Sequence, residues 1–356
     1  MTRSTPMLIW LVNPFDPVPG EALRPGRYAF LTKMLAQRGH RVIWLTSNFF
    51  HTTKTCRASG WTQTEPQANL RVVMLPTPPY YGNISIRRVW NHTVYSKRIK
   101  EWASRQSDLP GLILASCPPL SSARAAVALA RQLGAKSVVD VQDLWPDVFS
   151  MLLPRRLSKA GEALLYPLSR YAAHIHAHAD GLVAVCQTYL AKSRASRPNR
   201  DGAGGLVMHL GVDLHLFDKC SLLEEATAYP KGGDEFRIAY IGTVGKSYDV
   251  ATILEAARHI KFAHSRAVFF IVGNGPELAR MRATATHMQL DNVFFTGFIP
   301  FEQMVKVLVQ SDVGLNARAR GLPETFPNKV FDYLAAGLPI VNSVHGELGQ
   351  LVRGES

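Results

Sequence analysis

Cysteine is scarce in this chain. Cys56, Cys117, Cys186 and Cys220 are the four in 356 residues, and none lies close to another. That spacing argues against a thiolate metal site and a disulfide scaffold, and it fits a reducing compartment. Long apolar runs are missing as well: no stretch approaches the ~20 residues that a membrane-spanning helix needs. The run "MLIWLV" near the N-terminus gives way at once to "NPFDP", so it reads as a buried first strand and not as the longer core of a signal peptide. Acids are thin in the first half. Residues 1–200 hold 26 Lys and Arg against 10 Asp and Glu, whereas residues 201–356 hold 14 against 17. The net charge of +13 therefore belongs to the first half, which suits an anionic surface or partner. Membrane headgroups and nucleic acid both qualify. No recognised nucleic-acid motif accompanies the charge, and the second half has none of it, which argues against nucleic acid. No Asp-x-Asp pair occupies a plausible metal loop, so no metal or other cofactor is expected.

What is present is an alternation of short apolar runs and longer helical patterns. Strands are expected at 8–12, 41–46, 71–75, 112–116, 137–141, 181–185 and 205–209, then at 237–242, 268–273, 293–297, 313–317 and 339–343. Several are continuously apolar, as parallel strands covered on both faces are. Helical stretches such as 25–38, 119–132, 249–262, 276–288 and 327–336 fall between them. The pattern predicts an α/β chain of two doubly wound, Rossmann-like domains facing a cleft. Gly, Asp and Pro cluster around 196–235, which places the domains at 1–210 and 211–356, and ligands belong beyond the carboxyl ends of the strands.

The stretch "GLPETFPNKVFDYLAAGLPIV" (321–341) sets Glu324 in a loop and Asp332 inside a short helix that Pro327 opens and Gly337 and Pro339 close. On that helix Val330, Phe331 and Leu334 would share the apolar face, with Asp332 pointing away. Taken singly, each acid also suits a solvated position. Together with "YLAAGLPIV", the two acids eight residues apart resemble the motif of glycosyltransferase family 4, the GT-B fold. The resemblance implies that Glu324 holds the donor sugar and Asp332 the ribose of the nucleotide. Helix N-terminal N–H groups near Asn328 would seat a phosphate. "YIGTVGKSYDVATILEAA" (240–257) resembles the glycine loop of the nucleotide domain, with Gly242, Thr243, Gly245 and Lys246 beside the diphosphate. Lys329, Arg318 and Arg320 would help to neutralise it. "FIVGNGPELARM" (270–281) supplies Gly273 and Gly275, and "NVFFTGFIP" (292–300) leads to Phe298 near the base.

In the first domain, residues 13–42 resemble the acceptor-side loop, with Gly20, Arg24 and Arg27 as nearest matches. "VVDVQDLWPDVF" (138–149) resembles a loop of the bacterial branch that attaches amino-sugars to surface polysaccharides, and places Asp140, Asp143 and Trp145 on the acceptor side. Structural roles for that Trp and those Asp residues are equally open. Glu324, Lys246 and Asp143 are the candidate catalytic residues. The resemblance implies a retaining, metal-free transfer from a nucleotide-diphosphate sugar such as a UDP-sugar to a lipid-linked glycan or polysaccharide precursor. It implies a cytoplasmic, peripheral place at the inner face of the cytoplasmic membrane. The basic, Trp-bearing segment 84–105 is a candidate contact for an anionic membrane surface, or an ordinary solvated face. The chain stops soon after 339–343, earlier than such transferases do, so the second domain is expected to be incomplete. A sugar-nucleotide epimerase of similar shape and an inactive truncated transferase are the alternatives.

Overall fold

The structure is a computed structural model that describes residues 5–21, 23–151, 158–197, 205–223, 227–263, 266–319, 326–343 and 345–354. The chain divides into two compact units: Met1–Glu21 with Pro25–His209, and Ala22–Arg24 with Leu210–Ser356.

The first unit is built on an eight-stranded sheet. Its order is Gly205–Val207, Gly181–Ala184, Lys136–Val141, Leu112–Cys117, Leu8–Val12, Arg41–Ser47, Leu70–Leu75 and Thr62–Gln67. Every neighbour pair is parallel except the last. The strands are apolar without alternation because both faces are covered. Trp10 and Val12 pack with Tyr95, Ile99 and Trp102 of the helix Ile86–Ala103. Ile9 and Leu11, pointing the other way, pack with Tyr28 of the helix Arg27–Gln37 and with Trp44. Burying each such side chain is worth about 1.5–3 kcal/mol. The antiparallel edge strand Thr62–Gln67 was not expected from the sequence. It is polar, largely exposed and carries Pro66, features that blunt a sheet edge.

The helix Ile86–Ala103 also shows why its sequence lacks a clean apolar stripe. Its buried face includes Asn91, His92 and Ser96 beside Tyr95, Ile99 and Trp102. Two of the polar members are satisfied locally: Asn91 Nδ2 donates to Thr77 Oγ1 and to the Pro78 carbonyl, and Ser96 Oγ donates to the His92 carbonyl.

The second unit holds a five-stranded sheet that is parallel throughout. Its order is Val293–Gly297, Ala267–Val272, Phe236–Ile241, Val313–Asn316 and Ile340–Asn342. Chain order reverses between Phe236–Ile241 and Val313–Asn316, the position at which such sheets bind ligands. Tyr333, from the helix Asn328–Ala335, wedges between these two strands. Its hydroxyl accepts the Ile241 N–H at 3.0 Å and donates to the Leu315 carbonyl at 2.8 Å. Its ring lies so close to Gly314 that a Cβ there would come within 2.6 Å. Gly314 is therefore required by packing.

Candidate functional site

The helix Asn328–Ala335 does not bury the face that its sequence suggests. Lys329, Val330, Asp332 and Tyr333 are buried, while Leu334 is 52% exposed. Asp332 thus points inward, contrary to the expectation that it lies away from the apolar side. It is tolerated there because Arg24, which groups with the second unit, pairs with it: Nε donates to both carboxylate oxygens at 2.9 and 3.0 Å. Arg24 also donates to the Gly211 carbonyl at 2.9 Å. Burial pushes the Asp332 carboxyl above its ordinary pKa, and the Arg24 charge opposes that shift. Arg24, expected on the acceptor side, is thereby engaged with an acid of the second unit. Glu324 and Arg320 lie outside the described residues.

Lys329 is the most unusual group of this unit. Its side chain is buried, and its Nζ has no hydrogen-bond partner among the described residues. It sits 3.8 Å from the ring centroid of Tyr240 and 3.9 Å from that of Tyr248. Burial, reinforced by the nearby Arg318 charge, drives its pKa well below the usual lysine range. Arg318 lies over the outer ring, 5.6 Å from the Tyr248 centroid. A Cβ placed on Gly242 would fall 3.2 Å from the Lys329 ammonium. The bare backbone of the turn that ends Phe236–Ile241 therefore lies directly against an unpaired cation.

That turn is fixed by the next strand's turn. Gly242 has φ 125°, and its N–H donates to the Val272 carbonyl. A Cβ on Gly273 would meet the Gly242 carbonyl oxygen at 1.9 Å, and one on Gly275 would meet the Val244 oxygen at 2.3 Å. The "GNG" glycines are thus demanded by backbone-to-backbone packing of two neighbouring turns. Thr243 offers its carbonyl to the Tyr240 hydroxyl at 2.8 Å, and Gly245 its carbonyl to the Tyr248 N–H. Lys246 and Asn328 are exposed, as is Phe298 beyond the strand Val293–Gly297. Gly242, Lys329 and Arg318 therefore lie together around the sheet's reversal point. This is a cationic setting with free backbone, suited to an anion such as a diphosphate. Tyr240 and Tyr248, whose rings flank the Lys329 ammonium, were not singled out from the sequence; the signal lay in their bracketing of the glycine turn in "YIGTVGKSY".

In the first unit, Arg27 and Asp140 hold each other. Arg27 Nε and Nη2 each donate to Asp140 at 2.9 Å, and both side chains are buried. Arg27 also donates to the Met208 and His209 carbonyls. Arg27, expected on the acceptor side together with Asp140, thus also ties the chain at 208–209 to the first turn of its helix. Gly20 is exposed with φ 95°. The Asp143 carboxylate accepts the Leu144 N–H at 3.0 Å, and Trp145 is half-buried beneath the Arg88 guanidinium, 4.8 Å away. Among the described residues, no group of three or more His, Cys, Asp or Glu is placed to hold a metal ion.

The sequence model of the family "Glycosyl transferases group 1" matches residues 224–355, and that of the "Glycosyl transferase 4-like domain" matches 27–202. A putative colanic acid biosynthesis glycosyltransferase, WcaL, of Escherichia coli (strain K12) is 25% identical over 153 residues, 42% of this chain and 36% of that protein. Its Salmonella typhimurium counterpart is 26% identical over 150 residues, 41% of this chain and 35% of its own length. The match therefore spans about a third of each curated relative. Among solved structures, WaaG, described as a glycosyltransferase involved in lipopolysaccharide biosynthesis, superposes with TM-score 0.61 at 12% identity, covering 97% of this chain and 84% of its own. Anabaena Alr3699/HepE in complex with UDP and glucose gives TM-score 0.58 at 15% identity, with 98% and 89% covered. At such identities these two structures speak for the fold alone.

Proposed function

Because the chain belongs to glycosyltransferase family 4, with the GT-B fold, we propose that it moves a sugar from a nucleotide-diphosphate donor onto a polysaccharide precursor. The donor is a UDP-linked N-acetylated amino-sugar, the acceptor is lipid-linked, and the anomeric configuration is retained. The observation that carries this reading is Lys329, a buried and unpaired cation against the bare Gly242 turn. A diphosphate seated there would gain the Lys329 charge, the exposed Lys246 and Arg318, and backbone N–H groups of the turn. These groups stabilise charge as it develops on the leaving diphosphate, the largest catalytic term such a site can supply. Glu324 is assigned to the donor-sugar hydroxyls. Asp332 is assigned to the ribose; a carboxylate has acceptor capacity beyond what Arg24 uses. No metal takes part in this scheme.

The membrane part of the proposal rests on the start of the helix Ile86–Ala103. Tyr81, Ile84, Ile86, Val89 and Trp90 are all more than half exposed within ten residues, with exposed Arg87 among them. Apolar anchors beside a cation suit the headgroup region of an anionic bilayer. Among the described residues, no helix is long and apolar enough to cross a membrane. The enzymatic reading is tested with a panel of nucleotide sugars, by calorimetric binding and by UDP release in the presence of a short prenyl-diphosphate sugar. UDP-sugar binding with acceptor-dependent UDP release is expected. Absence of binding by every nucleotide sugar would overturn it.

A further inference from the structure

A second cationic cluster lies in the first unit, and the donor chemistry does not use it. It is assembled from segments that follow the carboxyl ends of that unit's strands: Phe15 after Leu8–Val12, His51 and Lys54 after Arg41–Ser47, Tyr80 after Leu70–Leu75, and Trp145 after Lys136–Val141. Arg88 and His92 enter from the first turns of the helix Ile86–Ala103. The Arg88 guanidinium lies 4.8 Å from the Trp145 ring centroid, 5.8 Å from Phe15 and 5.9 Å from Tyr80. Lys54 Nζ lies 4.9 Å from the Tyr80 centroid and donates to His51 Nδ1 at 2.9 Å and to Asn83 Oδ1 at 2.7 Å. The Tyr80 hydroxyl meets the same His51 nitrogen at 2.6 Å. The His92 ring faces Phe15, Tyr80 and Trp145 at 5.8–6.3 Å.

What the cluster lacks is a counter-charge. Neither Arg88 nor Lys54 has a carboxylate in ion-pair distance among the described residues, and Asp143 acts on Arg88 only from farther away. Arg88 Nε is buried without a partner. So is Nε2 of His92, a residue only 7% exposed. Burial and mutual repulsion both disfavour the charged forms here. Burial, then the Lys54 and Arg88 charges, hold His51 down to about 3. Burial, then Arg88 and His51, hold His92 at about 3. Lys54 is lowered to about 8 by burial and by Arg88. Four basic side chains walled by aromatic rings and facing one distant acid describe a seat whose charge is completed from outside. The ring faces of Trp145 and Phe15 add an apolar wall of the kind that small-molecule sites use for orientation.

We propose that this cluster binds the phosphate of the acceptor: a sugar-linked diphosphate, with Arg88 and Lys54 as its charge partners, His51 and His92 as further donors, and Trp145 and Phe15 against the attached sugar. The assignment to the acceptor rests on the transferase reading; the anion site does not. Its position accords with a lipid carrier, because Ile86, Val89 and Trp90 are exposed on the same helical turns that carry Arg88 and His92 inward. A diphosphate between a sugar and a prenyl tail would meet Arg88 and the apolar anchors within the first two turns of one helix. Lys54, lowered to about 8 by burial and by Arg88, gains its proton as pH falls from 8 to 6, so anion affinity rises over that range.

The test is calorimetric titration of the full chain with inorganic pyrophosphate, in excess UDP so that a donor site is already filled. Steady-state transfer to a water-soluble prenyl-diphosphate sugar accompanies it. Arg88→Gln and Lys54→Gln are expected to weaken pyrophosphate binding by about tenfold or more each, as loss of a charge-assisted contact does. They should raise the acceptor KM by a similar factor with kcat little changed and leave the UDP-induced rise in melting temperature intact. Unaltered pyrophosphate affinity and acceptor KM in both variants would overturn the proposal. So would variants that lose binding only to phosphatidylglycerol vesicles, since the cluster would then serve headgroups. A wild type that UDP does not stabilise removes the donor reading instead, and the Arg88→Gln pyrophosphate titration still decides the anion site.

Discussion

Lys329→Met tests the donor site by moving two quantities in opposite directions. Methionine matches the lysine stem closely in volume, so the change removes charge and leaves little cavity. A buried unpaired ammonium carries a desolvation cost of several kcal/mol. The Tyr240 and Tyr248 rings, at 3.8 and 3.9 Å, return about 2 kcal/mol when desolvated. The depressed pKa of Lys329 has burial as its first cause, so the ligand-free protein should gain about 1–2 kcal/mol. That corresponds to roughly 2–8 °C in melting temperature, at about 2–4 °C per kcal/mol for a domain of this size. The pH sign follows: a base with a depressed folded pKa destabilises below its unfolded value, ~10.4. Wild-type stability therefore rises toward pH 10 through this group, and the variant loses that rise. Nucleotide stabilisation moves the other way. UDP at a hundred times its Kd contributes about 2.7 kcal/mol. Losing one charge-assisted phosphate contact weakens Kd at least about tenfold, which cuts the contribution to about 1.4 kcal/mol or less at the same concentration. Scanning fluorimetry with and without UDP reads both. A variant that melts lower without ligand and shifts normally with UDP would refute the reasoning and make Lys329 a structural cation.

Asp332→Asn keeps the shape and one acceptor for Arg24, so it should fold and should weaken UDP by about tenfold if the ribose contact is real; unchanged calorimetric affinity would assign Asp332 to holding Arg24. Trp90→Glu with Ile86→Glu should abolish sedimentation with phosphatidylglycerol vesicles while leaving UDP stabilisation intact; retained sedimentation would move the membrane contact elsewhere. Asp16 is pushed up to about 6, chiefly by burial. A carboxyl with a raised folded pKa costs stability on ionisation, so the protein should lose stability as pH climbs from about 4 to 6. Asp16→Asn should flatten that dependence in a pH series of urea melts, and an unchanged slope would exclude Asp16 as its source.

The strands were legible because parallel strands covered on both faces leave continuous apolar runs. Leu8–Val12 and Val293–Gly297 match their expected bounds. Thr62–Gln67 was not legible, since an exposed polar edge strand has no apolar signal. The helix Ser158–His178 was hidden by its internal Pro167. The glycine turns of the second unit could be read, but their reason could not: Gly273 and Gly275 answer to the backbone of Gly242 and Val244. Asp332 and Lys329 were read as accessible polar groups. Only tertiary contacts reveal them as buried, one against Arg24 from 308 residues away in sequence and one between two tyrosines. The cluster around Arg88 draws on five separate segments, and only Trp145 among its members was singled out from the sequence.

The most direct test of the account is transfer itself. The full chain is incubated with tritiated UDP-N-acetylglucosamine and a short prenyl-diphosphate sugar, and the product is resolved by chromatography and its anomeric linkage by NMR. The account predicts acceptor-dependent release of UDP, label in the acceptor and retention of the donor's anomeric configuration, all strongly reduced in Glu324→Gln. Conversion of the donor sugar without any acceptor, or an inverted linkage in the product, would contradict it.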